Sequence, residues 1–168
     1  MSFWKKFVDN GKDDNLSSLQ KELANSLAEL SEEQQVEVTC IAGLLARVAY
    51  VDFELDPNEL VEIKKILKQW TDYTDDLVEL IANTAVKHIK DLAGLENHLY
   101  VYPLRDILDR DTRFKIVEAL FAIAAADGNV ENIESEEIRM INTGLELSNQ
   151  HFIAARAKVI QKLGALKS

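Results

Sequence analysis

Residues 36–70 read VEVTCIAGLLARVAYVDFELDPNELVEIKKILKQW, and residues 111–145 read DTRFKIVEALFAIAAADGNVENIESEEIRMINTGL. A shift of 75 positions lays one over the other without a gap. Ile41, Leu45, Val48 and Asp52 then fall on Ile116, Leu120, Ile123 and Asp127. Glu59, Ile63, Ile66 and Trp70 fall on Glu134, Ile138, Ile141 and Leu145. Within each set the steps are four, three and four residues, the spacing that draws one stripe along an α-helix. One such stripe arises easily by chance; two successive stripes, in register in both copies, do not. The pattern predicts two helix–loop–helix units with inward apolar faces, repeated within one chain.

Outward from these units the same helical spacing continues, and strand signals are nearly absent. Pro57 and Pro103 are the only prolines, so helices run with little interruption. The expected architecture is all-α: a single-domain bundle of about seven to eight helices in two pseudo-symmetric halves, about 36–94 and 111–163. The domain spans 16–168 and follows an N-terminal tail, 1–15. A first helix covers 16–30, and Ser31-Glu32-Glu33-Gln34 is a capping box opening a second that runs to about Val51. Asp56-Pro57-Asn58-Glu59 sets an acidic N-cap before a proline at the first helical position, and that helix reaches Trp70. Thr74-Asp75-Asp76 starts another, ending near Gly94, and a short helix is expected on each side of Pro103. Asp111 begins a helix to Ala126; two more cover 132–147 and 149–163, the last capped by Ser148.

The chain has 168 residues, 47% of them hydrophobic, enough for one domain with a real core. A formal charge of −10 argues against nucleic acid, which needs clustered Lys and Arg, and suits a cation or a basic protein partner. Cys40 is the only cysteine, so no intrachain disulfide forms, and its apolar neighbours make it a small buried hydrophobe. His88, His98 and His151 have no ligand spacing that would hold zinc. No signal peptide is evident and no apolar run reaches the roughly 20 residues of a bilayer crossing, so a cytoplasmic location is expected. Phe3, Trp4, Lys5, Lys6, Phe7 and Val8 form a short basic, amphipathic start. Contact with an anionic membrane surface through residues 1–8 is one reading of it; docking on the domain and disorder are the others.

The acids are the informative residues. Asp52 and Asp127 end inward-facing apolar stripes, while Glu59 and Glu134 begin the next ones. Glutamate in a first helical turn is favoured by the helix dipole; aspartate at a C-terminus is not, and burial raises the cost unless something pairs with it. Two carboxylates facing each other across a tight connection, in each half, suit a hard divalent cation such as Ca²⁺, Mg²⁺ or Mn²⁺. Glu54, Asp56, Asn129 and Glu131 would add oxygens. The competing reading is structural: Asp52 and Asp127 cap loop amides, Glu59 shares a cap with Asp56, and Arg47, Lys64 or Arg139 neutralises the rest. EF-hands are excluded. Counting from Asp52 puts Pro57 and Ile63 where that loop needs glycine and glutamate; from Asp127, Asn132 and Ile138 stand there.

Ala124-Ala125-Ala126-Asp127-Gly128-Asn129-Val130, with Glu134 seven residues after the aspartate, resembles the Ala-Asp-Gly-x-hydrophobic signature of the tellurite-resistance TerB-like family. Ala49-Tyr50-Val51-Asp52-Phe53-Glu54-Leu55, followed by Glu59, resembles its other copy, with Phe53 where glycine is usual. The likeness covers about 36–163. It implies an all-α fold of two related halves, a divalent-metal cluster carried here by Asp52, Glu59, Asp127 and Glu134, and a link to stress responses or membrane-associated complexes. No phosphate loop, nucleophile elbow or Cys–His pair points to catalysis. The expected function is a non-enzymatic, metal-responsive stress-response domain with no cofactor besides the cation. The alternative is a protein-interaction module in which the acids are purely structural.

Overall fold

Ser31 does what its position demands. Its backbone N–H donates to Gln34 Oε1 at 3.2 Å, and Gln34 N–H donates to Ser31 Oγ at 3.2 Å, closing the capping box. In a computed structural model of the chain, residues 21–50, 57–126 and 128–167 are described, with side chains throughout except at 57–59 and 163–167. A helical segment, 21–26, precedes the box. Eight helices follow among the described residues: α1 (Glu32–Tyr50), α2 (Pro57–Trp70), α3 (Asp75–Lys87), α4 (Ile89–Ala93), α5 (His98–Ile107), α6 (Arg110–Ala124), α7 (Asn132–Gly144) and α8 (Asn149–Lys167). The protein is all-α, with no strand among the described residues. The expected tail, 1–15, and the Asp56 cap lie outside them.

Side-chain caps set most helix starts. Thr74 Oγ1 accepts from Leu77 N–H at 3.3 Å, as its sequence position predicts. For α6 the cap is Asp109, whose Oδ1 accepts from Thr112 N–H at 2.7 Å, so the helix begins at Arg110 rather than Asp111. That bond holds the Asp109 carboxyl below its ordinary pKa. Ser148 caps α8 through His151 N–H at 3.4 Å, and α8 continues past 163 to Lys167.

Two expectations fail, both for reasons of packing. The single helix over 74–94 breaks at His88, whose backbone turns to φ −115° and ψ 22°. The break lets Leu92 enter the core and aims its carbonyl at Tyr100, whose hydroxyl donates to it at 2.7 Å. Pro103 does not separate two short helices; it lies inside α5. Its ring removes one backbone bond and costs about 3 kcal/mol. Burial of Tyr100, Val101 and Leu104 on the same helix outweighs that.

Helix α1 is the hub, packed by α3, α4, α5, α6 and α7; α6 is a second hub, touching α1, α2, α7 and α8. Ile41, Leu45 and Val48 on α1 are buried, as are Ile116, Leu120 and Ile123 on α6. The stripes of α2 (Ile63, Ile66, Trp70) and α7 (Ile138, Ile141, Leu145) are buried too. Gly43 lies where α5 crosses α1, and a methyl group there would overlap the Tyr100 ring. No described helix is long and apolar enough to cross a membrane.

Gly43→Ala should therefore destabilise the protein by about 1–3 kcal/mol despite alanine's better helix propensity, because Tyr100 is held at both its ring and its hydroxyl. Urea denaturation measures this, and an unchanged midpoint would refute the close approach. His88 yields a second expectation. Burial lowers its pKa, the Glu22 carboxylate offsetting part of the effect. The unfolded chain then binds a proton more readily than the folded one, so this contribution is complete above the ordinary pKa of 6.5 and shrinks as pH falls through the folded value. The melting temperature should drop between about pH 7.5 and 5.5, and His88→Gln should flatten that slope.

Candidate functional site

The turn before α7 is built around a backbone position that favours glycine. Gly128 has φ 99°, and its N–H donates to Ala125 O at 2.9 Å, folding the chain back as α6 ends. Glu131 is extended, at ψ 156°, and α7 starts one residue later. Glu134 thus occupies the first turn of α7, where the dipole favours a carboxylate. Its Oε2 accepts from Glu131 N–H at 2.9 Å, and the residue is 2% exposed.

Of the four acids singled out in the sequence, Asp52 and Asp127 lie outside the described residues. Glu59 stands in the first turn of α2, with its side chain outside them. Glu134 is the one described in full. Among the supplementary oxygens, Asn129 and Glu131 are exposed, and Glu54 and Asp56 lie outside the described residues. Among the described residues no three His, Cys, Asp or Glu side chains gather as a metal-ligand group.

Among the described residues, the cations proposed to neutralise the acids pair with other carboxylates. Lys64 pairs with Glu79 at 3.5 Å and Arg139 with Glu136 at 3.2 Å. Arg47 pairs with Glu137, its Nε donating to Oε1 at 2.7 Å. The same guanidinium donates through Nη1 to Ala93 O at 3.1 Å and to Leu95 O. Arg47 therefore ties α1 to the α4–α5 connection and to α7 at once. Glu137, one turn beyond Glu134, was missed in the sequence; its signal was the i, i+3 spacing on a single helix face. Glu118, buried on α6 and bridged by Lys158 Nζ at 2.6 Å, was missed as well, and only tertiary packing marks it out.

The remaining titratable candidates stand apart. His98 pairs with Glu96 at 3.0 Å, and His151 Nδ1 lies 2.7 Å from Ser148 Oγ. Cys40 is buried in α1, as expected, and burial pushes its thiol pKa up, which keeps it an unreactive hydrophobe.

A buried first-turn carboxylate behind a glycine turn is a chemically sensible ligand for a hard cation. Glu134 Oε2 accepts from Glu131 N–H as part of the capping box that opens α7.

The family model described as tellurite resistance protein TerB matches residues 37–157, which spans α1 to the middle of α8. No curated protein and no solved structure matches the chain.

The Arg47 node can be tested directly. Arg47→Met leaves Glu137 largely buried without its partner and should cost about 3 kcal/mol. Glu137→Gln, which keeps an acceptor for the guanidinium, should cost less than half as much. Equal losses in denaturant midpoint would show that the ion pair is not what positions α7 on α1.

Proposed function

Since the chain belongs to the tellurite-resistance TerB family, we propose that it is a non-enzymatic stress-response domain that holds a divalent cation between its two halves. Asp52 and Glu59 from one helix–loop–helix and Asp127 and Glu134 from the other supply the oxygens. The observation that carries this reading is the burial of the Glu134 carboxylate immediately after the Gly128 turn. A charge removed from water at that position is better tolerated when a cation shares the site. The buried stripes of α1 and α2, and of α6 and α7, support treating the two acid pairs as repeats of one unit. Ligands drawn from both units would make the ion a clamp between them, so its occupancy would register as stability.

A second reading has its own observation. The bond from Glu131 N–H to Glu134 Oε2, within a capping box, is a structural use of that side chain. On this reading the acids are helix caps, and the domain acts by engaging a protein partner, with no metal involved.

Melting the full chain in chelator and then in Ca²⁺, Mg²⁺ or Mn²⁺ separates the two. An ion at a hundredfold excess over its Kd stabilises by about 2.7 kcal/mol, a rise of roughly 5–10 °C for a protein of this size. Asp127→Asn should remove most of the increment while leaving the chelator melt little changed. If none of the three ions moves the transition, the metal reading fails and the interaction module stands.

A further inference from the structure

Residues 21–30 precede the span that the family model matches, yet they help to close the core. Leu23 and Leu27, four residues apart, are both buried in it. Polar contacts fasten this segment at each end. At its downstream end the Gln35 side-chain amide, on α1, donates to Leu27 O at 3.0 Å and to Leu30 O at 3.2 Å. At its start Glu22 Oε1 lies 3.1 Å from Lys87 Nζ and 3.8 Å from His88 Nε2. Residues 21–27 thus form a strap whose start is held at the break between α3 and α4. A short segment docked through two leucines is the kind of unit that opens well before a whole domain unfolds.

The His88 ring at that break is 6% exposed, although imidazole ordinarily takes up a proton near pH 6.5. The charges that act on it are Glu22 from the strap, Lys87 from α3 and Asp91 from α4. Helix α1, which packs on both α3 and α4, has no charged side chain between Val38 and Ala46. Arg47 beyond them is bonded to Glu137 and to the Ala93 carbonyl. On α2, Lys64 and Lys68 pair with Glu79 and Asp75, at least two turns of α3 before His88. A proton on His88 would therefore meet, in Glu22, a carboxylate already shared with Lys87. Burial, partly offset by Glu22, lowers the pKa of the ring, so the docked strap disfavours its charged form.

We propose that protonation of His88 releases residues 21–27 from the domain, so that the strap is an acid-sensitive latch at the α3–α4 break. Release gives the imidazolium access to water and bares the core surface that Leu23 and Leu27 cover. Linkage sets the direction: added protons favour whichever state holds His88 at the higher pKa, and that is the open one. Glu22 does not drive the change, because Lys87 keeps its carboxyl below the ordinary value of 4.5 and it stays ionised near neutrality. The hub need not move, since Gln35 pins the chain downstream of the strap and α1 remains enclosed by five helices. This inference does not depend on cation binding by the acids.

Hydrogen exchange of the full chain, read by mass spectrometry and corrected for the intrinsic pH dependence of amide exchange, tests it. Between about pH 7.5 and 5.5 the protection of residues 21–27 should fall roughly three- to tenfold, while that of α6 holds. His88→Gln keeps a polar side chain that takes up no proton, and its strap should be equally protected at both pH values. Glu22→Gln removes the exposed Lys87 pair and should lower strap protection about threefold at pH 7.5, again with α6 unchanged. Protection of α6 also reports whether each variant folds; if His88→Gln does not, the contrast between strap and α6 in the wild type and in Glu22→Gln decides. Four outcomes overturn the inference: strap protection that holds or rises on acidification, strap and α6 loosening together, a His88→Gln strap that still loosens with acid, or a Glu22→Gln strap as protected as the wild type.

Discussion

The structure depends on enclosing α1. Twelve of its nineteen residues are buried, and between 38 and 49 all but Arg47 are, so five other helices surround it. Close approach is possible because Gly43 offers no side chain where Tyr100 crosses, and Tyr100 is anchored in turn by the Leu92 carbonyl. That last bond exists only because the chain bends at His88. One helix with too much apolar surface thus accounts for the break between α3 and α4 and for a proline inside α5. Local preferences yield wherever the core gains more from violating them than the violation costs.

Charge inside this fold is handled by three different devices. Glu118 is met by Lys158 reaching in from α8, Glu137 by the Arg47 guanidinium, and Glu134 accepts a backbone N–H at a helix start. Each answers the same requirement, that a carboxylate taken out of water keep hydrogen-bond donors or positive charge around it. Arg47 has the widest reach, joining α1 to α7 and to the chain between α4 and α5. Its partner Glu137 lies one turn of α7 from Glu134, so the packing of the hub bears on the helix that carries that acid.

Much of the fold is legible from particular residues. The buried stripes on α1, α2, α6 and α7 follow from apolar spacing alone, and Ser31, Thr74 and Ser148 mark helix starts through hydroxyls placed before free amides. The Gly128 turn was likewise written in the Asp-Gly pair. Of the candidate site, the sequence pointed to Glu134 as an inward-facing first-turn acid, and it is buried there. Glu118 and the Arg47–Glu137 pair were illegible because their partners are 40 and 90 residues away.

What the sequence by itself determined was helix class, the faces that turn inward and most capping residues, since those depend on interactions within about one turn of chain. The tertiary structure alone decided where α3 gives way to α4, that Pro103 stays helical, and which cation meets which buried carboxylate. Those outcomes are set by contacts between segments far apart in sequence. Their energies, of a few kcal/mol each, exceed the local preferences that oppose them.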